Sequence, residues 1–243
     1  MSISAHTEKL GERARRPWFH TAVAAGFVVA MAFGYRFLGG LEFVQGWGGG
    51  VAAVIATFFL IWKSQGYWVW MIVNASLWTA LFFEMDLPVL AWLQVSFLVL
   101  ASYGAVQWAL VRFRIGFNPR ARSDVVGTVL ALAVFLYSVY AYWNLEGYVG
   151  TIWWALELGT VFLAIVAMWM DAFRYKWNWV AWSLSNVLAV PLFFHGSLWG
   201  PFFTTFVYQA LNVVGWFQWV RDERRLVEDT REGLVDERVR EAA

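Results

Sequence analysis

Eight apolar stretches, each long enough to cross the hydrocarbon core of a bilayer, take up most of this 243-residue chain. They fall at residues 18–37, 45–62, 67–84, 88–110, 124–143, 150–170, 177–195 and 200–219. A crossing helix needs about 20 apolar residues. Inside lipid every backbone polar group has to bond within its own segment, so each stretch is expected to be helical. The composition agrees: 60% of residues are hydrophobic and 14% charged, against about 25% charged in a soluble domain. Short polar connectors separate the spans at Gly39-Gly40, Ser64-Gln65-Gly66, Glu84 to Pro88, Asn118-Pro119, Asn144 to Gly147 and Gly196 to Pro201. The expected fold class is all-α integral membrane, with eight transmembrane helices. The first stretch is too long for a signal peptide and lacks a small-residue cleavage site, so it reads as a retained helix.

Several function classes drop out early. Cysteine is absent, which removes disulfides, thiolate metal sites and a Cys nucleophile. A net charge of +1 argues against a nucleic-acid partner. His6, His20 and His195 lie far apart in sequence, which disfavours a histidine metal site. Neither a Ser/His/Asp set nor an H-E-x-x-H motif can be assembled, and no lysine lies deep in the last spans to hold a Schiff base. The run Gly48-Gly49-Gly50 follows no strand and precedes no Lys-Ser/Thr, so it reads as a site of close helix packing and not as a phosphate loop. The chain is therefore not read as an enzyme, and neither cofactor nor metal is called for.

Basic residues orient the spans. The N-terminal arm carries Lys9, Arg13, Arg15 and Arg16, alternate connectors carry Lys63, Arg112, Arg114, Arg120, Arg122, Arg174 and Lys176, and the tail carries six arginines. All of these fall on one side, and Arg36 falls on the other. The excess of positive charge places that side, with both termini, in the cytoplasm.

The chain also repeats itself. Trp70 and Asn74 recur as Trp182 and Asn186 at a step of 112, and Gly104-Ala105-Val106-Gln107-Trp108 recurs as Gly215-Trp216-Phe217-Gln218-Trp219 at a step of 111. Matching copies at nearly constant spacing read as a duplicated half. The expected organisation is an arm (1–17), an extra helix (18–37), a three-helix repeat (42–112), a linker helix (124–143), a second three-helix repeat (150–220) and a charged tail (221–243). One linking helix makes the two copies parallel. Membrane proteins built this way hold their ligand between the repeats, which points to a transporter. A membrane sensor is the rival reading, but it has no need of two halves that rock. The tail alternates charge and reads as a solvated helix.

Polar groups inside a bilayer are costly and need a reason. The candidates are Asn74, Gln94, Gln107, Asn186, Gln209, Asn212 and Gln218, with Glu157 as the carboxylate well inside a span. Amides also join helices to one another, so each has a structural reading beside the functional one. Trp70 and Asn74, Trp182 and Asn186, and Tyr208 and Asn212 each stand four residues apart, which puts ring and amide on one helix face. A ring that stacks beside an amide that bonds in the ring plane suits a heteroaromatic ligand. Trp179 and Trp216 continue two of those faces, with belt anchoring as the alternative for Trp179. An ionised Glu157 would attract a cation into this aromatic setting.

At these residues the chain resembles the PnuC family of bacterial vitamin transporters. The likeness rests on WMIVNASLWTALFF around Asn74, WLQVSF around Gln94, ASYGAVQW, AIVAMWM, WNWVAWSLSN and ALNVVGWFQW, and covers about residues 42–220. The resemblance implies a SWEET-like fold, an inner-membrane location and facilitated diffusion of a vitamin or nucleoside precursor, drawn onward by a cytoplasmic kinase. It implies that Trp182, Asn186, Gln94 and Asn212 line the site. Nicotinamide riboside is the first candidate, with riboflavin and thiamine as alternatives; lipid and a second copy of the chain are the other expected partners. Family members often end the first repeat in G-W-Y-x-W, whereas Gly104-Ala105-Val106-Gln107-Trp108 lacks the first aromatic.

Overall fold

A computed structural model describes residues 17–85, 88–113, 119–145 and 152–242. The N-terminal arm, the residues just before Pro119 and the connector around Gly147 lie outside the described residues. Every regular element among those described is a helix. Helix α1 (Pro17–Gly34) runs through two π-helical turns, Tyr35–Gly39 and Val44–Gly48, into α2 (Gly49–Ile61). The bend falls where the sequence offers glycine, and Gly40 takes a left-handed φ of 62°. Then follow α3 (Gly66–Glu84), α4 (Pro88–Phe113), α5 (Pro119–Leu145), α6 (Ile152–Ala172), α7 (Asn178–His195) and α8 (Trp199–Ala242). Both α4 and α5 open on proline, whose missing N–H costs nothing in a first turn.

Among the described residues five segments are long and apolar enough to cross a membrane: Trp18–Leu38, Val44–Ile61, Gly66–Glu84, Leu90–Leu110 and Ile152–Ala172. A shorter apolar run covers Val125–Tyr140 in α5. Helices α7 and α8 lie outside that set. Asn178, Ser183, Ser185, Asn186, Gln209 and Asn212 lower their hydropathy. The outer surface is apolar: Val28, Val29, Phe33, Val129, Val213 and Phe217 are all exposed, as expected where lipid is the solvent.

Helix α3 packs between α2 and α4, and α7 between α6 and α8. Across the molecule α8 returns onto α2 and α4 onto α6, while α5 lies against α4 and α6. Individual interactions recur at a step of 111 residues. The Trp68 ring meets Trp108 edge-on at 5.4 Å, and Trp179 meets Trp219 at 5.5 Å. A Cβ on Gly104 would run into the Trp68 ring, and one on Gly215 into the Trp179 ring. The two outer tryptophans then reach across. The Trp108 indole N–H donates to the backbone oxygens of Asp171 and Ala172, each at 3.1 Å, and that of Trp219 donates to Ile61 at 3.1 Å. Gly104→Ala should therefore force the ring beneath it to move and cost about 1–3 kcal/mol, measured as a lower thermal midpoint of the detergent-purified protein.

The turns after α2 and α6 match as well. Ser64 N–H bonds back to Phe59 O at 2.9 Å and Tyr175 N–H to Met170 O at 3.0 Å, the long bond of a Schellman cap. The left-handed residue in that cap is ordinarily glycine. Here it is Lys63 (φ 50°) and Arg174 (φ 58°). Their cations lie over tryptophan rings across the molecule, Lys63 Nζ 5.0 Å from Trp219 and Arg174 Cζ 4.5 Å from Trp108. Cation–π attraction helps to offset the backbone cost.

The recurring bonds correct one expectation. Asn74 donates to Gly49 O at 2.9 Å, and Ser185 donates to Thr160 O at 3.1 Å. At a step of 111 the partner of Asn74 is therefore Ser185, and Asn186 answers to Ala75. The eye aligns two asparagines, but the packing aligns an asparagine with a serine. The charged tail is helical and continues the last apolar stretch, since α8 is continuous from Trp199 to Ala242.

Candidate functional site

A cavity of about 100 Å³ lies between α2, α3 and α4 on one side and α6, α7 and α8 on the other. That is room for several waters' worth of ligand. Its walls are mostly apolar, with a few polar groups converging on it, the usual make-up of a small-molecule site. Each wall follows from a helix-face pattern. Tyr67, Met71, Asn74 and Trp78 of α3 line it at steps of three to four residues, as do Trp182, Asn186, Ala189 and Phe193 of α7, with Ser185 beside Asn186. Thr205, Tyr208 and Asn212 do the same from α8, and Gln94 enters from α4.

The polar groups form two clusters. On the α7–α8 side, Gln209 Oε1 accepts from Asn186 Nδ2 and Asn212 Nδ2, each at 3.3 Å, and Asn212 Nδ2 also lies 3.4 Å from Ser183 Oγ. On the α2 side, the Tyr208 hydroxyl donates to Gly50 O at 2.8 Å, and Asn74 holds Gly49 O. The glycines allow this approach: a Cβ on Gly49 would meet the Trp78 ring, and one on Gly50 would come 2.7 Å from Thr204 Cγ2. Gln94 is 3% exposed, and its Oε1 has no partner among the described residues, which leaves an acceptor at the cavity wall for a ligand donor. The Trp182 ring stands edge-on to Phe97 at 6.1 Å, and its indole N–H donates to Asp171 Oδ2 at 2.9 Å. A planar ligand would have a stacking surface at Trp182 and amide groups one turn away.

Six of the ten residues singled out in the sequence line this cavity: Trp182, Asn186, Gln94, Asn212, Asn74 and Tyr208. Glu157 lines a smaller pocket of about 40 Å³ that shares Leu93, Gln94, Thr160, Ala189 and Phe193 with the main one, so it stands beside the site. The other three pack elsewhere. Trp70 is buried against Phe27 of α1 at 5.0 Å. Trp179 is sealed beneath Gly215 and Trp219, and Trp216 packs against Trp177 at 5.2 Å. Four-residue spacing puts ring and amide on related faces, but it does not say which neighbour that face meets.

Asp171 escaped the sequence reading. It is fully buried in the last turn of α6, so Glu157 is not the sole carboxylate inside a span. A span drawn to residue 170 assigned it to the basic connector that follows. Its setting, Met168-Trp169-Met170-Asp171-Ala172-Phe173, carried the signal: a lone carboxylate with apolar neighbours on both sides. Tyr67 and Asn178, which bond to it, occupy equivalent positions at the starts of α3 and α7. Among the described residues no cluster of His, Asp or Glu is arranged to hold a metal.

Comparison with known proteins places this architecture. The crystal structure of the vitamin B3 transporter PnuC superposes with a TM-score of 0.57 at 17% sequence identity, covering 88% of this chain and 97% of that one. The two share a fold. No curated protein matches the chain in sequence. The family model for the nicotinamide mononucleotide transporter matches residues 44–221, well over half of the chain and the whole of the region that encloses the cavity. The chain thus belongs to the nicotinamide mononucleotide transporter, or PnuC, family.

Proposed function

We propose that this protein carries nicotinamide riboside across the bacterial inner membrane by facilitated diffusion, with the cavity as its substrate site. The family model carries the class, a membrane transporter for a nicotinamide-related compound. The finer reading rests on one observation: a stacking ring, Trp182, shares a cavity with Asn186, Asn212, Asn74, Tyr208 and the unpartnered acceptor of Gln94. A planar pyridinium can lie on the indole, its carboxamide and ribose hydroxyls can bond to the amides, and an ionised Glu157 beside the site would favour positive charge.

The architecture in this reading is two parallel three-helix bundles, α2–α4 and α6–α8, joined by α5, with α1 as an addition and eight spans in all. The step of 111 between equivalent contacts supports it, as does the reciprocal packing of α8 on α2 and α4 on α6. Two bundles around one central site can rock and open it to either side in turn. The basic end, with Lys63, Arg174 and Lys176, faces the cytoplasm by charge asymmetry. Accumulation then comes from a kinase that adds a charge the cavity does not return.

Sealed proteoliposomes without kinase or ATP test the energetics. Labelled nicotinamide riboside should equilibrate and go no further, with or without an imposed proton or sodium gradient. Accumulation above the outside level that depends on the proton gradient and is lost in Glu157→Gln would overturn uniport. Thiamine and riboflavin in parallel vesicles test the choice of vitamin.

A further inference from the structure

Asp171 gathers both halves of the cavity into one group. Its carboxylate accepts from the Tyr67 hydroxyl of α3, the Asn178 side-chain amide of α7 and the Trp182 indole N–H. Tyr67 and Trp182 line the cavity from opposite sides, and Asp171 sits behind them, fully buried. Beyond this point, towards the basic end, the interior is closed by Trp68, Trp108, Trp179 and Trp219, each at most 3% exposed. The arrangement occurs once. At the step of 111 the counterparts of Asp171 and Trp182 are Leu60 and Met71, which have no polar side chain to offer.

We propose that Asp171 is a positioning residue and the latch of the basic end: it holds the Trp182 ring towards the ligand and keeps α3 against α6 through Tyr67. This deepens the transport reading and rests on it. On this proposal, release towards the basic end moves α3 away from α6 and α7, and the Tyr67–Asp171 bond ties them across the cavity. Removing one donor from a buried carboxylate weakens its claim on the closed state, because the remaining donors both belong to α7. The opposite end of the cavity, by Trp78 and Phe193, has no such bond to Asp171, so the latch acts at one end.

The chain lacks cysteine, so a single introduced thiol reports on access. Thr57→Cys places it in the cavity wall, and Ser185→Cys provides a second reporter on the other half. An impermeant maleimide is added to sealed vesicles of each orientation, and Tyr175→Cys, at an exposed turn of the basic end, identifies which face is outward. Tyr67→Phe should raise labelling from the basic face about tenfold, the shift expected for one lost hydrogen bond, and leave the other face unchanged. Asp171→Asn should raise it as well. In transport, Asp171→Asn should raise KM, because a single amide oxygen must then serve three donors and the Trp182 ring is held less firmly, whereas Tyr67→Phe should change the maximal rate more than KM. Unchanged labelling in both variants, or an equal rise from both faces, overturns the latch. Thiol access requires no substrate, so an error in the choice of vitamin leaves this result standing, and failure of the latch leaves the substrate reading intact.

Discussion

Trp182→Ala is expected to weaken substrate binding about tenfold or more. Stacking of a heteroaromatic ring on a tryptophan is worth about 1–3 kcal/mol, and about 1.4 kcal/mol is a factor of ten in Kd. The ring sits at the cavity wall, held edge-on by Phe97 and anchored by Asp171, so its removal leaves a larger and less ordered pocket. Calorimetric titration of purified protein with nicotinamide riboside is the direct measurement. Asn186→Ala should also weaken binding, since the amide pairs with Gln209 and stands one turn from the ring. Wild-type affinity in both variants for every vitamin tried would place the site elsewhere.

Trp68→Ala and Trp179→Ala should have large effects of a different kind. Each ring is almost wholly buried, each fills the space over a glycine, and each meets a second tryptophan edge-on. Truncating a buried aromatic to alanine costs about 3–5 kcal/mol, so both variants should lose much of their thermal stability in detergent, and by similar amounts. The protein that remains folded should bind substrate much as wild type does. Trp179→Ala would then separate from Trp182→Ala, three residues along the same helix: stability falls in the first, affinity in the second. A Trp179→Ala protein of normal stability and weak affinity would put that ring in the site after all.

Five of the spans were legible because hydropathy is additive along a helix, and Gly66–Glu84 and Ile152–Ala172 fall close to where the apolar runs put them. The recurring contacts were legible because glycines and tryptophans at fixed offsets mark close packing. Their register was not. Between Trp70 and Trp182 the salient residues match at 112, while the packed rings and carbonyl partners match at 111. Serine and asparagine can serve the same bond, and identity alone does not reveal that. The cavity wall was half legible. A polar residue in a span signals an interior face, which found Asn186, Asn212 and Gln94, but threonines such as Thr57 and Thr160 bond their own helix and give no such signal. Trp70 packs against α1 and does not line the cavity, and nothing in its own helix reveals that. Asp171 was lost to a boundary set one residue short.

The exchange of indole bonds between the halves has a consequence for biosynthesis. Trp108 is made early, yet the carbonyls that accept its N–H belong to Asp171 and Ala172, more than sixty residues downstream. Until those residues leave the ribosome, helices α2 to α4 hold an indole donor with no acceptor, in a solvent that supplies none. Trp219 reverses the dependence, since its acceptor at Ile61 has waited since the start. The nascent chain thus remains unfinished until its second half arrives. The last tryptophan to be synthesised closes the molecule against one of its first helices.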